Sequence, residues 1–279
     1  MSYKIVVDSC CELPEEYKKD PRFEIVSLGI QVGDWNIQDD ENFDQAEFLA
    51  RVAACEECPK SSCPSPEVYM NSYNTQADRV YVVTLSAQLS GSYNSAVLGK
   101  NLYHESNGDK KIHIIDSQSA SCGETQIALK AMELEESGKY SFEEIVKKLE
   151  EFRSRMVTYF VLDNLEVLRK NGRLTGVKAL MATTLNIKPI MMGDKGVIAQ
   201  AGQAIGMKKA LNKMADLVVE TMEKTEERIL MITHCNNRKR AETVRDLILQ
   251  KTKFTAVRIM DTAGISSLYA SDGGVIVTV

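Results

Sequence analysis

Val82 to Ala96, VVTLSAQLSGSYNSA, is the stretch on which the fold turns. With Arg79–Tyr81 before it, it opens as a run of apolar, largely β-branched residues, the composition of a buried strand. It then crosses a loop carrying Ser86, Ser90 and Ser92 and enters a helical pattern that lasts to about Tyr103. A continuous apolar strand, a short polar loop and a helix make up half of a parallel strand–helix–strand unit. The same alternation extends in both directions. Apolar strands read at 4–8 (KIVVD), 23–32 (FEIVSLGIQV) and 111–117 (KIHIIDS). Helical patterns read at EEYKKD after Pro14, at 44–54 (DQAEFLARVAA) and at GETQIALKAMELEESG, where Gly138 is the expected C-cap. SFEEIVKKLEEFRSR follows, with Ser141 as N-cap and Glu144 three residues on, a capping box. The alternation predicts an α/β fold with a mostly parallel sheet flanked by helices.

After VTYFVLD (157–163) the pattern changes. LEVLRKNGRLTG breaks a short helix at Asn171-Gly172. IKPIMMGDKGVIAQ (187–200) reads as two strands joined at Gly193-Asp194-Lys195-Gly196, an antiparallel hairpin. A helix at 206–224, a strand at RILMITH (228–234), a helix at 237–251 and a terminal strand in GGVIVTV complete the chain. This half predicts an α+β domain with an antiparallel sheet. The expected division is therefore an N-terminal domain at 1–156 and a C-terminal domain at 157–279.

The bulk composition narrows the function. Of 279 residues, 44% are hydrophobic and 26% charged, the balance of an ordinary globular chain. The net charge of −5 gives no basic footprint for nucleic acid. No run approaches the roughly 18 apolar residues of a membrane helix. MSYKIVVDS goes directly into a strand pattern, so the cytoplasm is the expected compartment and reduced thiols the expected state. Cys55 and Cys58 with nearby Cys63 offer three thiols where a structural zinc site usually takes four ligands, so no metal is expected.

Polar residues gather where strands end. Asp8-Ser9, Thr84 with Ser86, and Asp116-Ser117 close three of the parallel strands, where open α/β sheets form their ligand crevice. Singly, each reads as a helix or turn cap; together they favour a crevice rim. Ser61 and Ser62 in KSSCPSP precede Pro64 and Pro66, which hold the chain extended as a loop presenting hydroxyls. Ser90 invites two readings. A hydrolase elbow needs Gly-x-Ser-x-Gly spacing and a base, and Ser90-Gly91-Ser92 lacks that spacing while no histidine stands near it in sequence. A helix N-terminus offers free N–H groups to an anion, and Gly91 permits close approach. With no lysine or arginine in the loop, a carboxylate fits better than a phosphate.

Taken together, IVVDSCCELP, SSCPSP, LSAQLSGSYNSA, IIDSQSASCG, LEVLRKNGRL and LNIKPIM resemble, in order and spacing, the DegV family of bacterial fatty-acid-binding proteins. The resemblance implies a long-chain fatty acid lying between two domains, its tail in an apolar tunnel. It implies that Ser61 and Ser90 hydrogen-bond the carboxylate, with Ser62 and Gly91 beside them, and that the protein has neither catalytic residues nor cofactor. The alternative is a serine-dependent esterase acting on an acyl substrate through Ser90. Some family members present their acyl chain to a fatty-acid kinase. Here Ile205 stands for an arginine of the family pattern and Tyr269 for a histidine, while Lys170, Arg173, Lys208 and Lys209 remain. Acyl binding is expected to survive these departures and presentation to a kinase to suffer. Met181, Met191, Met192, Met207 and Met214 are expected mainly in the core of the second half.

Overall fold

The computed structural model describes residues 2–174 and 186–279; Met181 and the end of LEVLRKNGRLTG lie outside them. Residues 3–116 build a parallel sheet in the order β2 (Phe23–Val26), β1 (Tyr3–Asp8), β6 (Arg79–Thr84), β7 (Lys111–Asp116). Both faces of this sheet are buried, which is why its strands read as continuous apolar runs. Ile5, Val7, Tyr81, Val83 and Ile115 pack towards Ile127 of α5 (Cys122–Glu136) and Leu149 of α6 (Phe142–Ser154). The alternate residues Val6, Val80, Val82, Ile112 and Ile114 pack on Tyr69 and Tyr73 of α3 (Pro66–Tyr73) and on Tyr103 of α4 (Ser92–Asn107). The capping box at α6 is present, with Ser141 Oγ accepting the Glu144 N–H at 3.2 Å and Glu144 accepting the Ser141 N–H at 2.8 Å.

Residues 158–278 build the second sheet, in the order β10 (Val197–Ile205), β9 (Ile187–Asp194), β8 (Thr158–Val161), β13 (Val275–Thr278), β11 (Ile229–His234), β12 (Ala256–Asp261). Its pairs are antiparallel except β11–β12, so the sheet is mixed. Lys195 and Gly196 both have positive φ at the β9–β10 turn, the geometry that matches the twist of a tight hairpin. One face packs on α8 (Met207–Thr221) and α9 (Arg238–Leu249) through Met214, Val218, Val244 and Ile248. The other face, with Phe160, Met231 and Ile276, joins the cluster beneath α5. Helix α5 thus lies between the two sheets: Cys122–Leu129 are all buried, while its C-terminal part brings Glu133 and Glu136 to solvent.

The structure departs from the sequence reading at 23–32. That stretch is two strands, broken where Ser9 Oγ accepts the Leu28 N–H at 3.0 Å. Beyond the break β3 (Gly29–Val32) leaves the parallel sheet and pairs with β4 (Trp35–Gln38) and β5 (Lys60–Ser62) in a small antiparallel sheet. Ser61 and Ser62 therefore stand on a strand, opposite Ile30 and Gly29, where the sequence reads as a loop. The remaining helices are α1 (Glu15–Lys18), α2 (Gln45–Ala54), α7 (Glu166–Lys170) and α10 (Gly264–Ala270).

Candidate functional site

The polar strand ends turn inward. Asp8, fully buried, accepts from the Leu85 N–H at 2.8 Å, the Ser92 hydroxyl at 2.6 Å and the Cys10 N–H at 3.1 Å. Ser86 donates to the Gly196 carbonyl at 2.7 Å, and Ser117 donates to the Ser119 carbonyl at 3.1 Å. Asp116 accepts the N–H groups of Ala87 and Gln118, each at 3.0 Å. These groups fasten loops to strands, so the expected crevice rim of strand-end hydroxyls is corrected: backbone donors and acceptors already occupy them.

A cavity does open beyond those ends, and apolar atoms line it. Its enclosed volume is about 90 Å3, smaller than the roughly 300–1,000 Å3 of small-molecule sites. Leu85, Leu89 and Ala120 form one wall, Phe160, Leu162, Ile198 and Ile276 of the mixed sheet another, and Ile265 and Ala270 of α10 a third. Gly193 and Gly196, at the hairpin turn, bring backbone rather than side chains to the lining.

Polar side chains enter the lining in three places: Gln118, Ser119 and Thr158; Cys10 with Ser266; and Tyr269 with Arg173. The Tyr269 hydroxyl lies 2.8 Å from Ser61 Oγ. The Arg173 guanidinium sits 5.6 Å from the Tyr269 ring centre and donates through Nε to the Leu89 carbonyl at 3.1 Å. Burial pushes the Tyr269 phenol up, opposed by its bond to Ser61 and by the Arg173 charge, so it stays protonated and able to donate. Ser90 adjoins Leu89, and its Oγ accepts the Ser92 N–H at 3.2 Å at the start of α4. Gly91 has ordinary helical φ; a Cβ there would lie 2.9 Å from Cys63 Sγ, so glycine lets the Ser61–Cys63 strand end pack against the Ser90 loop. Of the four residues expected at the head group, Ser61 reaches the cavity through Tyr269 and Ser90 borders it through Leu89. None of the four is in the cavity lining itself; Gly91 lets the two loops meet, and Ser62 is exposed with its Oγ beside Gly29. Arg173 and Tyr269 belong to this cluster too; the sequence marked both as family positions, but their pairing with Leu89 and Ser61 spans 84 and 208 residues.

A second polar group lies outside the cavity lining. Asp8, Glu12, Asp39 and Glu124 are each at most 4% exposed. Among the described residues neither carboxylate oxygen of Glu124 has a hydrogen-bond partner. Burial first, and then the Asp8 charge, push its pKa well up, so Glu124 is held as the neutral acid. Burial also raises Glu12 to about 7 and Asp39 to about 6, opposed in Asp39 by N–H groups of Ile265 and Gly264 at 2.8 and 2.7 Å. Asp39 thereby fixes the start of α10, the helix whose far end carries Tyr269.

Among the described residues no group of three or more His, Cys, Asp or Glu is arranged to hold a metal ion, and no helix is long and apolar enough to cross a membrane. A parallel sheet and a mixed sheet enclosing an apolar cavity with a polar mouth define a small-molecule-binding α/β protein. The chain belongs to the DegV family: the model described as "Uncharacterised protein, DegV family" matches residues 2–277. A DegV domain-containing protein of Streptococcus gordonii is 33% identical over 279 residues, covering 99% of this chain and 98% of the relative. A DegV family protein of Ruminococcus gnavus, solved with vaccenic acid, superposes with a TM-score of 0.97 at 53% identity, covering 100% of this chain and 99% of that one. The fatty acid kinase (Fak) B3 protein of Streptococcus pneumoniae, loaded with linoleic acid, gives 0.88 at 31% identity and the same coverage.

Proposed function

We propose that this protein is a non-catalytic carrier of one long-chain fatty acid. The observation that carries the reading is the apolar cavity with Tyr269 and Arg173 in its lining and Ser61 bonded to the Tyr269 hydroxyl. The tail lies in the cavity, between domains 1–156 and 157–279. Each buried methylene contributes about 0.8 kcal/mol, so the tail supplies most of the affinity. The carboxylate is held by the hydroxyls of Ser61 and Ser90, with Ser62 and Gly91 beside them and Arg173 supplying positive charge. Likeness to the vaccenic-acid and linoleic-acid proteins supports this reading. The esterase alternative lacks a base at Ser90: His104 is held at the Lys110 carbonyl (3.1 Å), His113 at Glu150 (3.5 Å) and His234 at Asp261 (3.5 Å). A fatty-acid kinase is the partner that the Streptococcus pneumoniae relative's name brings into this reading. The carrier works in the cytoplasm, where such a kinase has ATP.

The test is extraction of the protein, purified from a bacterial host, after denaturation. Mass spectrometry is expected to find one long-chain fatty acid per chain. Recovery of phosphosugars or nucleotides instead would overturn the reading, as would covalent labelling of Ser90 by an activated-serine reagent.

A further inference from the structure

The molecule has a second large concavity, far more polar than the first. It lies between the outer edge of the parallel sheet, β2, and the outer edge of the mixed sheet, β12. Among the described residues no strand pairs with either outer edge. Exposed edges present unpaired N–H and C=O groups and are ordinarily blunted by lysine, proline or bulges. Here β2 (FEIV) and β12 (AVRIMD) contain neither lysine nor proline. The one cation on these strands, Arg258, is tied to Glu16 at 2.7 Å. Phe23, Ile25, Val257, Ile259 and Met260 make the walls apolar, and Ile25 is 38% exposed on its edge strand.

The rim carries the opposite chemistry. Between Val32 and Arg51 the chain has six acidic residues and no lysine or arginine. Asp40, Glu41 and Asp44 from that stretch border the groove, joined by Asp261 at the end of β12. Lys18, the other cation in the lining, is already bound to Glu15 at 2.6 Å. At its inner end the groove meets Glu12, 4% exposed, whose Oε2 has no hydrogen-bond partner among the described residues.

We propose that this groove docks an extended, basic segment of a partner protein, which adds to β12 as a further strand. Strand addition takes its affinity from main-chain hydrogen bonds and its selectivity from alternate side chains. A segment alternating apolar and basic residues would set its apolar side chains beside Val257 and Ile259, which share one face of β12. Its basic ones would lie on the opposite face, towards Glu16, Asp40, Glu41 and Asp44, with Asp261 at the strand's end. The acidic rim fixes the sign of the partner's charge and speeds its encounter. The groove is separate from the fatty-acid mouth, so the proposal stands or falls independently of the carrier function.

The experiment uses the full chain and a fluorescein-labelled peptide of alternating lysine and valine, with a glutamate–valine peptide as its mirror. Fluorescence anisotropy is expected to record saturable binding of the lysine peptide that weakens steeply with salt, and none of the glutamate peptide. Glu41→Lys with Asp261→Lys is expected to weaken binding at least about tenfold while leaving the extractable lipid unchanged. Hydrogen exchange at Ala256–Asp261 is expected to slow when the lysine peptide is bound. Equal binding of both peptides, no binding, indifference to the double charge reversal, or unchanged exchange in β12 would each overturn the proposal. So would concentration-dependent protection of β12 without peptide, which would give that edge to a second copy of the chain.

Discussion

The polar cluster at the mouth of the cavity and the buried acids around Asp8, at the end of β1, both gather side chains from several elements, yet they do opposite things. At the mouth, Ser61, Tyr269 and Arg173 are half-buried. The two hydroxyls bond each other, and Arg173 lies by the Tyr269 ring while donating to the Leu89 and Asn171 carbonyls, leaving hydrogen-bonding capacity for a guest. Around Asp8, three donors saturate its carboxylate, and Glu12, Asp39 and Glu124 are each at most 4% exposed. Buried carboxylates are thus held internally in one cluster, while hydroxyls in the other keep bonding capacity. Burial, not residue type, separates a fastening from a ligand site.

Asp8→Ala should break that contrast most severely. Three buried donors would lose their acceptor, each at a cost of about 1–3 kcal/mol. Chemical denaturation should find the variant largely unfolded or several kcal/mol weaker; a wild-type midpoint would show that the strand end tolerates the loss. The second effect is on pH. Glu12 titrates at about 7 when folded, above its ordinary carboxylate value, so the folded state holds a proton that the unfolded state releases between those limits. Its contribution is full below the ordinary value and is lost as pH rises towards 7. Over that window the loss amounts to roughly 3 kcal/mol at about 1.36 kcal/mol per pH unit. Glu12→Gln should flatten this fall in denaturation midpoints between acid and neutral pH, and an unaltered slope would place the proton elsewhere.

At the mouth the effects fall on binding. Ser61→Ala and Ser90→Ala each remove a hydroxyl from a charged carboxylate, worth about 1.5–3 kcal/mol, so fatty-acid affinity should drop about 10- to 150-fold while the fold stays intact. Titration of the delipidated double variant tests this, and unchanged affinity would remove both hydroxyls from the clamp. Smallest is Tyr269→Phe, which deletes one neutral hydrogen bond to Ser61 worth about 0.5–1.5 kcal/mol. Affinity should change by no more than about tenfold; a larger loss would make the tyrosine a direct partner of the carboxylate.

What could be read from the sequence follows from the range of each interaction. The parallel strands, the Gly138 and Gly172 helix ends, the Ser141–Glu144 box and the Gly193–Gly196 turn are written in local spacing, and they stand in the structure. The break at Ser27-Leu28 is not local, because it depends on the Ser9 hydroxyl from another strand. Pro64 and Pro66 made 60–62 read as loop, whereas its partner in β3 makes it a strand. Ser61 and Ser90 were legible through family resemblance. Their neighbours Tyr269 and Arg173 became parts of one mouth only when α10 and the end of α7 were folded against them. Asp8 and Ser86 looked like ligand groups because sequence cannot tell which way a side chain turns at a strand end.

The small antiparallel sheet has an optical consequence. Trp35 is the chain's single tryptophan, and it pairs with Val32 on β3, the strand whose other side holds Ser61 and Ser62. Its indole is half-buried, with the Arg51 guanidinium 4.4 Å from the ring centre, and it is not in the cavity lining. Intrinsic tryptophan emission therefore comes from one site, two strands removed from Ser61 and in an apolar cluster that also holds Leu85, Ile265 and Tyr269 of the cavity lining. A spectral shift on adding ligand would report rearrangement of that shared cluster or displacement of β5 transmitted through β3. The molecule thus carries a built-in lamp that illuminates the scaffold beneath Ser61.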